Sequence, residues 1–224
     1  MEIAAQLTSL VFALTTLLTV FLFYKAANYS KVVLFTLFVW LAAQGFIALS
    51  GFYTHTNVLP PRFALAILPP LIFIVYLISS QRGRQFTASL DLKTLTLLHT
   101  IRIPVELVLL WLFIQYKVPQ LMTFEGRNFD ILSGITAPLV YYFGFVKPQW
   151  SKKIVLVWNF ICLGLLINIV MIAIFSAPFP FQKLAFEQPN IAVFYFPFVW
   201  LPCCVVPLVL LSHLSAIQQL LGKE

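Results

Sequence analysis

The chain has 224 residues, of which 61% are hydrophobic and 9% are charged, and its formal net charge at pH 7 is +7. So little polar surface excludes a soluble domain of this length and indicates that lipid is the solvent for most of the chain. The excess of basic residues does not indicate nucleic-acid binding, because no polar stretch interleaves them with aromatic residues. We predict an all-α fold, a polytopic integral membrane helical bundle that forms one domain over residues 1–224, with no separate soluble domain.

Seven apolar stretches follow one another along the chain. They are Ile3–Tyr24, Val32–Tyr53, Phe63–Ser80, Leu92–Tyr116, Ile131–Val146, Ile154–Ser176 and about Val193–Ile217. The hydrocarbon core of a bilayer is about 30 Å thick and needs about 20 helical residues, so the third stretch is near the lower limit and the fifth is short. We therefore predict about seven transmembrane helices, with six helices and one re-entrant segment as the alternative. Glu2 and the lack of a basic region before the first stretch argue against a cleaved signal peptide.

The basic residues are distributed unevenly between the two sides of this arrangement. One side holds Lys25, Lys31, Arg82, Arg84, Lys93, Lys147, Lys152, Lys153 and Lys223. The other side holds four basic residues, and Arg102 lies inside the fourth stretch. Because basic residues accumulate in cytoplasmic loops, this asymmetry predicts an N-terminus outside and a C-terminus in the cytoplasm. The predicted location is the cell membrane (plasma or inner membrane), as a multi-pass protein.

Proline occurs inside four of the apolar stretches, where it removes a backbone donor and interrupts the helical hydrogen bonds. These prolines are Pro69, Pro70, Pro104, Pro138, Pro197, Pro202 and Pro207. Two interpretations stay open. The prolines introduce kinks that help the helices pack, or they break the helices around a binding cavity, as in many transporters.

Three ionisable residues lie inside the fourth stretch: His99, Arg102 and Glu106. Their spacing places them within about 60° of one another on a helix, so they share one face. Ionisable groups at this depth are costly in lipid, and we expect all three to face the inside of the bundle. Arg102 and Glu106 are one turn apart, so an ion pair between them is geometrically available. The face then either fixes helix packing or binds a proton, an ion or an anionic headgroup.

Other polar residues are candidates to complete such a site. Asn159 and Asn168 lie on opposite faces of the sixth stretch, and Asn168, the more central of the two, is predicted to face the ionisable residues. In the outer stretch Met122–Gly134, either Asn128 or Asp130 is suited to cap the helix that follows. Alternatively, this stretch dips inward and covers a cavity. The predicted binding residues are thus Arg102, Glu106, His99, Asn168 and Asp130.

We predict no metal and no other cofactor, since the three cysteines show no metal-ligand spacing. His99 and His213 lie at comparable depth, so a histidine pair that binds haem or a metal is a weaker alternative. The preferred function is a small-molecule, lipid or proton-coupled carrier. A membrane-embedded enzyme acting on a lipid or isoprenoid is one alternative, with His99 and Glu106 as the catalytic candidates, and the sequence does not decide whether the protein is an enzyme. A non-catalytic subunit or receptor-like module is another. The expected partners are membrane lipids, a small-molecule or lipid ligand, and a membrane protein or a second copy.

Overall fold

The computed structural model describes residues 2–222, which contain helices and no strand. The α-helices are α1 (Glu2–Ala26), α2 (Lys31–Leu49), α3 (Ala64–Ser79), α4 (Gln81–Ser89), α5 (Leu92–Leu98), α6 (Arg102–Ile114), α7 (Ile131–Tyr141), α8 (Lys152–Ser176) and α9 (Val206–Leu221). Two π-helical segments, Tyr142–Val146 and Leu201–Val205, extend α7 and precede α9. The predicted all-helical class is confirmed. Lys223, which entered the charge count, lies outside the described residues.

Several helical segments are long and apolar enough to cross a membrane. They are α1, α2, Leu92–Ile114, α8 and Leu201–Leu221. The pair α3 and α4 is long and apolar enough when taken together but bends by 92° at Ser80, and Ile131–Val146 is a shorter apolar helix. The prediction of several long apolar helices is therefore confirmed.

Two segments differ from the sequence prediction. Residues 81–89, expected to be a connection, form helix α4, whose first turn is capped by the Ser80 hydroxyl accepting a hydrogen bond from the Gly83 N–H at 3.0 Å. The last long helix starts at Leu201 instead of Val193, and a short 3-10 turn precedes it. Pro197 explains this late start, because it lacks an N–H and disfavours the helical conformation of the residue before it.

The fourth predicted span changes its helical pitch at the ionisable residues. Helix α5 continues into a 3-10 turn at His99–Ile101 and then into α6. Pro104 accounts for the change, because its ring would clash with the carbonyl of Thr100 in a regular α-helix. A tighter 3-10 turn in the middle of a helix often marks a hinge. The span is surrounded by α1, α7 and α9, so its ionisable face lies among helices.

Residues 115–130, which we call the inward loop, return into the bundle from the end of α6. Val118, Met122, Thr123 and Asn128 are all buried in this loop. The stretch therefore packs into the bundle, as one interpretation predicted, whereas its role in covering a cavity stays a prediction. The 16 residues of Ile131–Val146 rise about 24 Å, which is less than the roughly 30 Å of a bilayer core.

Gly134 allows α7 to pack closely on the ionisable span. A Cβ atom at this position would lie 2.9 Å from Ile103 Cγ1 and 3.0 Å from the Ile103 backbone nitrogen. We expect Gly134→Val to push α7 outward and lower the free energy of unfolding by about 1–3 kcal/mol, the usual effect of overpacking. Gly164→Val is the matched control, because a Cβ there meets nothing within 4 Å. Equal stability of the two variants in detergent would contradict the close contact.

Candidate functional site

The three ionisable residues of the fourth span lie inside the bundle, as predicted. His99, Arg102 and Glu106 are 1%, 2% and 1% exposed. Because all three are buried at the same helix face, they need partners from neighbouring elements. These partners come from the inward loop, α8 and α9.

Arg102 forms an ion pair with Asp130 at the end of the inward loop. Its Nη1 lies 2.7 Å from Asp130 Oδ1, and this is the only ion pair found among residues 2–222. The pair with Glu106 that the helical spacing allowed is therefore not formed. The loop supplies a closer carboxylate, and Asp130 also gains from its position at the N-terminal end of α7, where the helix dipole favours a negative charge.

The predicted helix cap is only partly present. Asp130 occupies the N-cap position of α7, but its side chain makes no capping hydrogen bond. Its carboxylate is taken by Arg102 instead, so the capping prediction is wrong for this residue. Asn128, which precedes α7, binds the start of the same helix, because its Oδ1 accepts a hydrogen bond from the Asp130 N–H at 3.0 Å.

His213 from α9 connects Arg102 to α8. Its Nε2 lies 2.9 Å from Arg102 Nη2, and its Nδ1 lies 2.9 Å from Asn159 Oδ1. Arginine only donates, so Nε2 accepts and the hydrogen is assigned to Nδ1, which donates to Asn159. The ring also stacks on His99, with ring centroids 3.9 Å apart. Both nitrogens of His213 are thus occupied by protein groups, which argues against the predicted alternative of a metal- or haem-binding histidine pair.

Asn168 is not part of this site. It is exposed, and its Nδ2 donates to the backbone carbonyl of Arg127 at 2.9 Å. The prediction that it faces the ionisable residues is wrong, and Asn159 takes that place. The buried face of α8 follows a helical spacing through Val155, Asn159, Cys162, Leu166 and Ile169. Asn159 lies on this face and Asn168 does not.

Glu106 is bound on one side only. Its Oε1 accepts a hydrogen bond from Asn128 Nδ2 at 2.6 Å, and Asn128 Nδ2 also donates to the Met122 carbonyl at 3.0 Å. Glu106 Oε2 is buried and has no hydrogen-bond partner among the described residues. The same holds for Arg102 Nε and His99 Nδ1. Each of the three ionisable side chains on this face therefore keeps one buried polar atom without a partner.

These residues form what we call the polar cluster. Its members are His99, Arg102, Glu106, Asn128, Asp130, Asn159 and His213. The predicted members His99, Arg102, Glu106 and Asp130 meet in it. Asn128, Asn159 and His213 are not among the predicted binding residues, although the sequence indicates Asn128 as a helix cap and His213 as one member of a histidine pair. Within residues 2–222, no group of three or more His, Cys, Asp or Glu side chains is arranged to hold a metal ion.

A second buried polar pair lies apart from the cluster, near the end of α2. The Tyr53 hydroxyl donates to Gln44 Oε1 at 2.6 Å. Burial raises the pKa of Tyr53 to about 12, Cys203 adds to this effect, and the hydrogen bond to Gln44 opposes it. The phenol therefore stays protonated at neutral pH and acts as a donor that fixes the turn after α2.

The chain belongs to a family described as a domain of unknown function (DUF8737), which matches residues 62–221. No curated protein and no solved structure matches the chain. The matched segment includes every residue of the polar cluster, whereas α1 and α2 precede it. The family description assigns no activity, so the function has to be argued from the cluster itself.

Proposed function

We propose that this member of the family is a multi-pass protein of the cell membrane that works as a proton-coupled carrier of small solutes. The bilayer is crossed by α1, α2, the bent pair α3–α4, the span Leu92–Ile114, the short α7, α8 and the final helix. With these seven segments, the N-terminus lies outside and the C-terminus in the cytoplasm. The basic-residue asymmetry supports this orientation.

The observation that carries the proposal is the set of three buried polar atoms without partners. They belong to His99, Arg102 and Glu106, on successive turns of one helix face. Buried polar atoms in native proteins are nearly always hydrogen-bonded, so three exceptions at one place call for an explanation. Buried polar atoms without partners would not stabilise a cluster that only fixes helix packing. A site that takes up a proton or a polar solute needs such atoms.

The charges in the cluster support proton binding at Glu106. Arg102 and Asp130 neutralise each other at 2.7 Å, so the Glu106 carboxylate has no cationic partner among the described residues. An isolated ionised carboxylate is costly to bury, and one proton on Glu106 would remove that charge. The cluster then alternates between a net charge of minus one and zero. Such a change of charge is suited to couple proton binding to a movement of the helices.

The helices around the cluster have the irregular turns that such a movement requires. The fourth span contains the 3-10 turn at His99–Ile101, α7 ends in the π-helical segment Tyr142–Val146, and α9 follows the π-helical segment Leu201–Val205. Irregular turns in membrane helices are typical of transporters, in which broken helices line the central site. One irregular turn contains His99, and the other two lie at the ends of helices that follow Asp130 and carry His213, so the three together support a carrier.

The enzyme alternative has less support. It requires Arg102 to hold a charged headgroup, but both terminal nitrogens of Arg102 already contact protein partners, Asp130 and His213. A headgroup would have to displace the Asp130 carboxylate.

Glu106→Gln tests the carrier role. Glutamine can still accept the hydrogen bond from Asn128, so we expect the fold to remain while the titratable group is lost. The purified protein is placed in vesicles with a mixture of isotopically labelled small metabolites, with and without an imposed proton gradient. We expect at least one solute to accumulate with the wild-type protein only under the gradient. We expect Glu106→Gln to reduce this uptake to that of protein-free vesicles.

Glu125→Gln is the matched control, because Glu125 lies exposed on the same loop region. It should transport like the wild type. Infrared spectra at two pH values provide a second measurement, in which a protonated-carboxyl band should be present in the control and absent in Glu106→Gln. Gradient-driven uptake that persists in Glu106→Gln would overturn the proposal, and so would identical infrared titrations.

A further inference from the structure

A large apolar cleft lies between α2 and α3, away from the polar cluster. Its volume is about 460 Å³. The walls come from α2 (Val33, Leu37, Trp40) and α3 (Pro70, Ile74, Leu77), and the floor includes Cys203, Cys204 and Leu208. Thr36 is the one side chain with a hydroxyl among the lining residues. A cleft with so few polar groups is suited to a hydrocarbon chain rather than to a polar solute.

Two hydrogen bonds fix α2 to the segment that directly precedes α9. The Trp40 indole N–H donates to the Cys203 carbonyl at 2.9 Å, and the Trp200 indole N–H donates to the Leu41 carbonyl at 2.9 Å. Both bonds lie at the end of the cleft marked by Trp40. From there to Val32 the helix stands away from α3, and the space between them stays open.

The length of the cleft matches one leaflet of a bilayer. Its α2 wall runs from Val32 to Trp40, which is about 12 Å along a helix. Half of a hydrocarbon core is about 15 Å thick. In the orientation proposed above, Val32 lies near the cytoplasmic surface and Trp40 near the middle of the membrane. The cleft therefore opens along the cytoplasmic leaflet.

The cytoplasmic end of the cleft is basic. Phe86 of α4 lines this end, and Arg82 lies one turn before it on the same helix face. Arg82 is exposed and forms no ion pair with any described residue. Lys31, directly before Val32, is also exposed at this level. A cation above an apolar cleft is complementary to a ligand with an anionic head and an apolar tail.

We propose that this cleft binds one acyl chain of an anionic phospholipid from the cytoplasmic leaflet, with its phosphate held by Arg82. The proposal rests on the membrane orientation proposed above but not on proton coupling, since no residue of the polar cluster lines the cleft. The bound lipid fills the gap between α2 and α3 and completes the packing of α2.

Native mass spectrometry of the detergent-solubilised protein tests this site with phosphatidylglycerol and phosphatidylcholine as probes. We expect the wild type to retain one phosphatidylglycerol molecule in preference to phosphatidylcholine. Thr36 lines the cleft from an exposed position, so the larger side chain in Thr36→Trp should fill the cleft. We expect phosphatidylglycerol binding to weaken about tenfold or more, because the acyl chain loses most of its apolar contact with the cleft. Val39→Trp is the matched control, because Val39 is exposed on α2 but does not line the cleft.

The head-group contact is tested with Arg82→Gln. The loss of one basic residue near an anionic headgroup should weaken phosphatidylglycerol binding about fivefold and leave phosphatidylcholine binding unchanged. Lys93→Gln, an exposed cytoplasmic control, should have no effect. Equal binding of both lipids by the wild type would overturn the anionic preference. Equal lipid retention by Thr36→Trp and Val39→Trp would overturn the site, and neither result would bear on the transport experiments with Glu106→Gln.

Discussion

Replacing Arg102 with methionine is expected to lower the free energy of unfolding by about 3–5 kcal/mol, the usual effect of removing one partner of a buried ion pair. Methionine keeps most of the side-chain volume, so the loss comes from the charge and not from a cavity. Asp130, 5% exposed, would remain buried without its cation. His213 Nε2 would lose its donor at the same time.

The stability of the Arg102→Met protein is measured by titrating it with dodecyl sulfate in mixed micelles and following helix content. Arg127→Met is the matched control, because Arg127 is exposed on the inward loop and should change the midpoint little. The double variant Arg102→Met with Asp130→Leu should recover much of the loss, since it removes both charges. If the single and double variants are equally unstable, the Arg102–Asp130 pair is not the source of the effect.

The helical spacing of His99, Arg102 and Glu106 was enough to predict that they share a buried face. This part of the site depends only on the period of a helix and on the cost of charge in an apolar environment. The partner of Arg102 depends on the path of the inward loop through the bundle. The helical spacing indicated Glu106 as the partner of Arg102, but Asp130, 28 residues away in sequence, forms the ion pair. A pairing set by tertiary structure is beyond what one helical period can predict.

Asn159 and Asn168 show a second limit of the sequence. Their separation correctly placed them on opposite faces of α8, but nothing in the sequence showed which face meets the bundle. Helix α8 is apolar around its whole circumference, so its hydrophobic pattern has no preferred direction. The choice between the two faces is made by packing against α9, which brings Asn159 to His213.

The last long helix starts later than predicted because of prolines that are visible in the sequence. Pro197 and Pro202 were both recognised as breaks, and the apolar run through them was still assigned to one helix. The structure begins the helix at Leu201. Hydrophobicity indicates whether a segment is stable in lipid, whereas proline limits whether its backbone can be helical. Here the apolar run begins before the prolines, but the helix begins only after Pro197.

His213→Phe is expected to destabilise the fold by roughly 1–3 kcal/mol, the usual cost of leaving buried polar groups without partners. Phenylalanine preserves the ring that stacks on His99, 3.9 Å away between centroids. It removes both hydrogen bonds of the imidazole. Arg102 Nη2 loses its acceptor, and Asn159 Oδ1 loses its donor. The two losses fall on neighbouring helices that His213 connects, so the contact between α8 and α9 should loosen first.

His55→Phe is the matched control for this variant, because His55 is exposed outside the long helices. It should leave the unfolding midpoint in dodecyl sulfate unchanged. His213→Gln separates hydrogen bonding from ring shape, because glutamine offers one acceptor and one donor group but no ring. We expect His213→Gln to be more stable than His213→Phe. The opposite order would mean that the stacked ring, and not the hydrogen-bonded chain from Arg102 to Asn159, holds the two helices together.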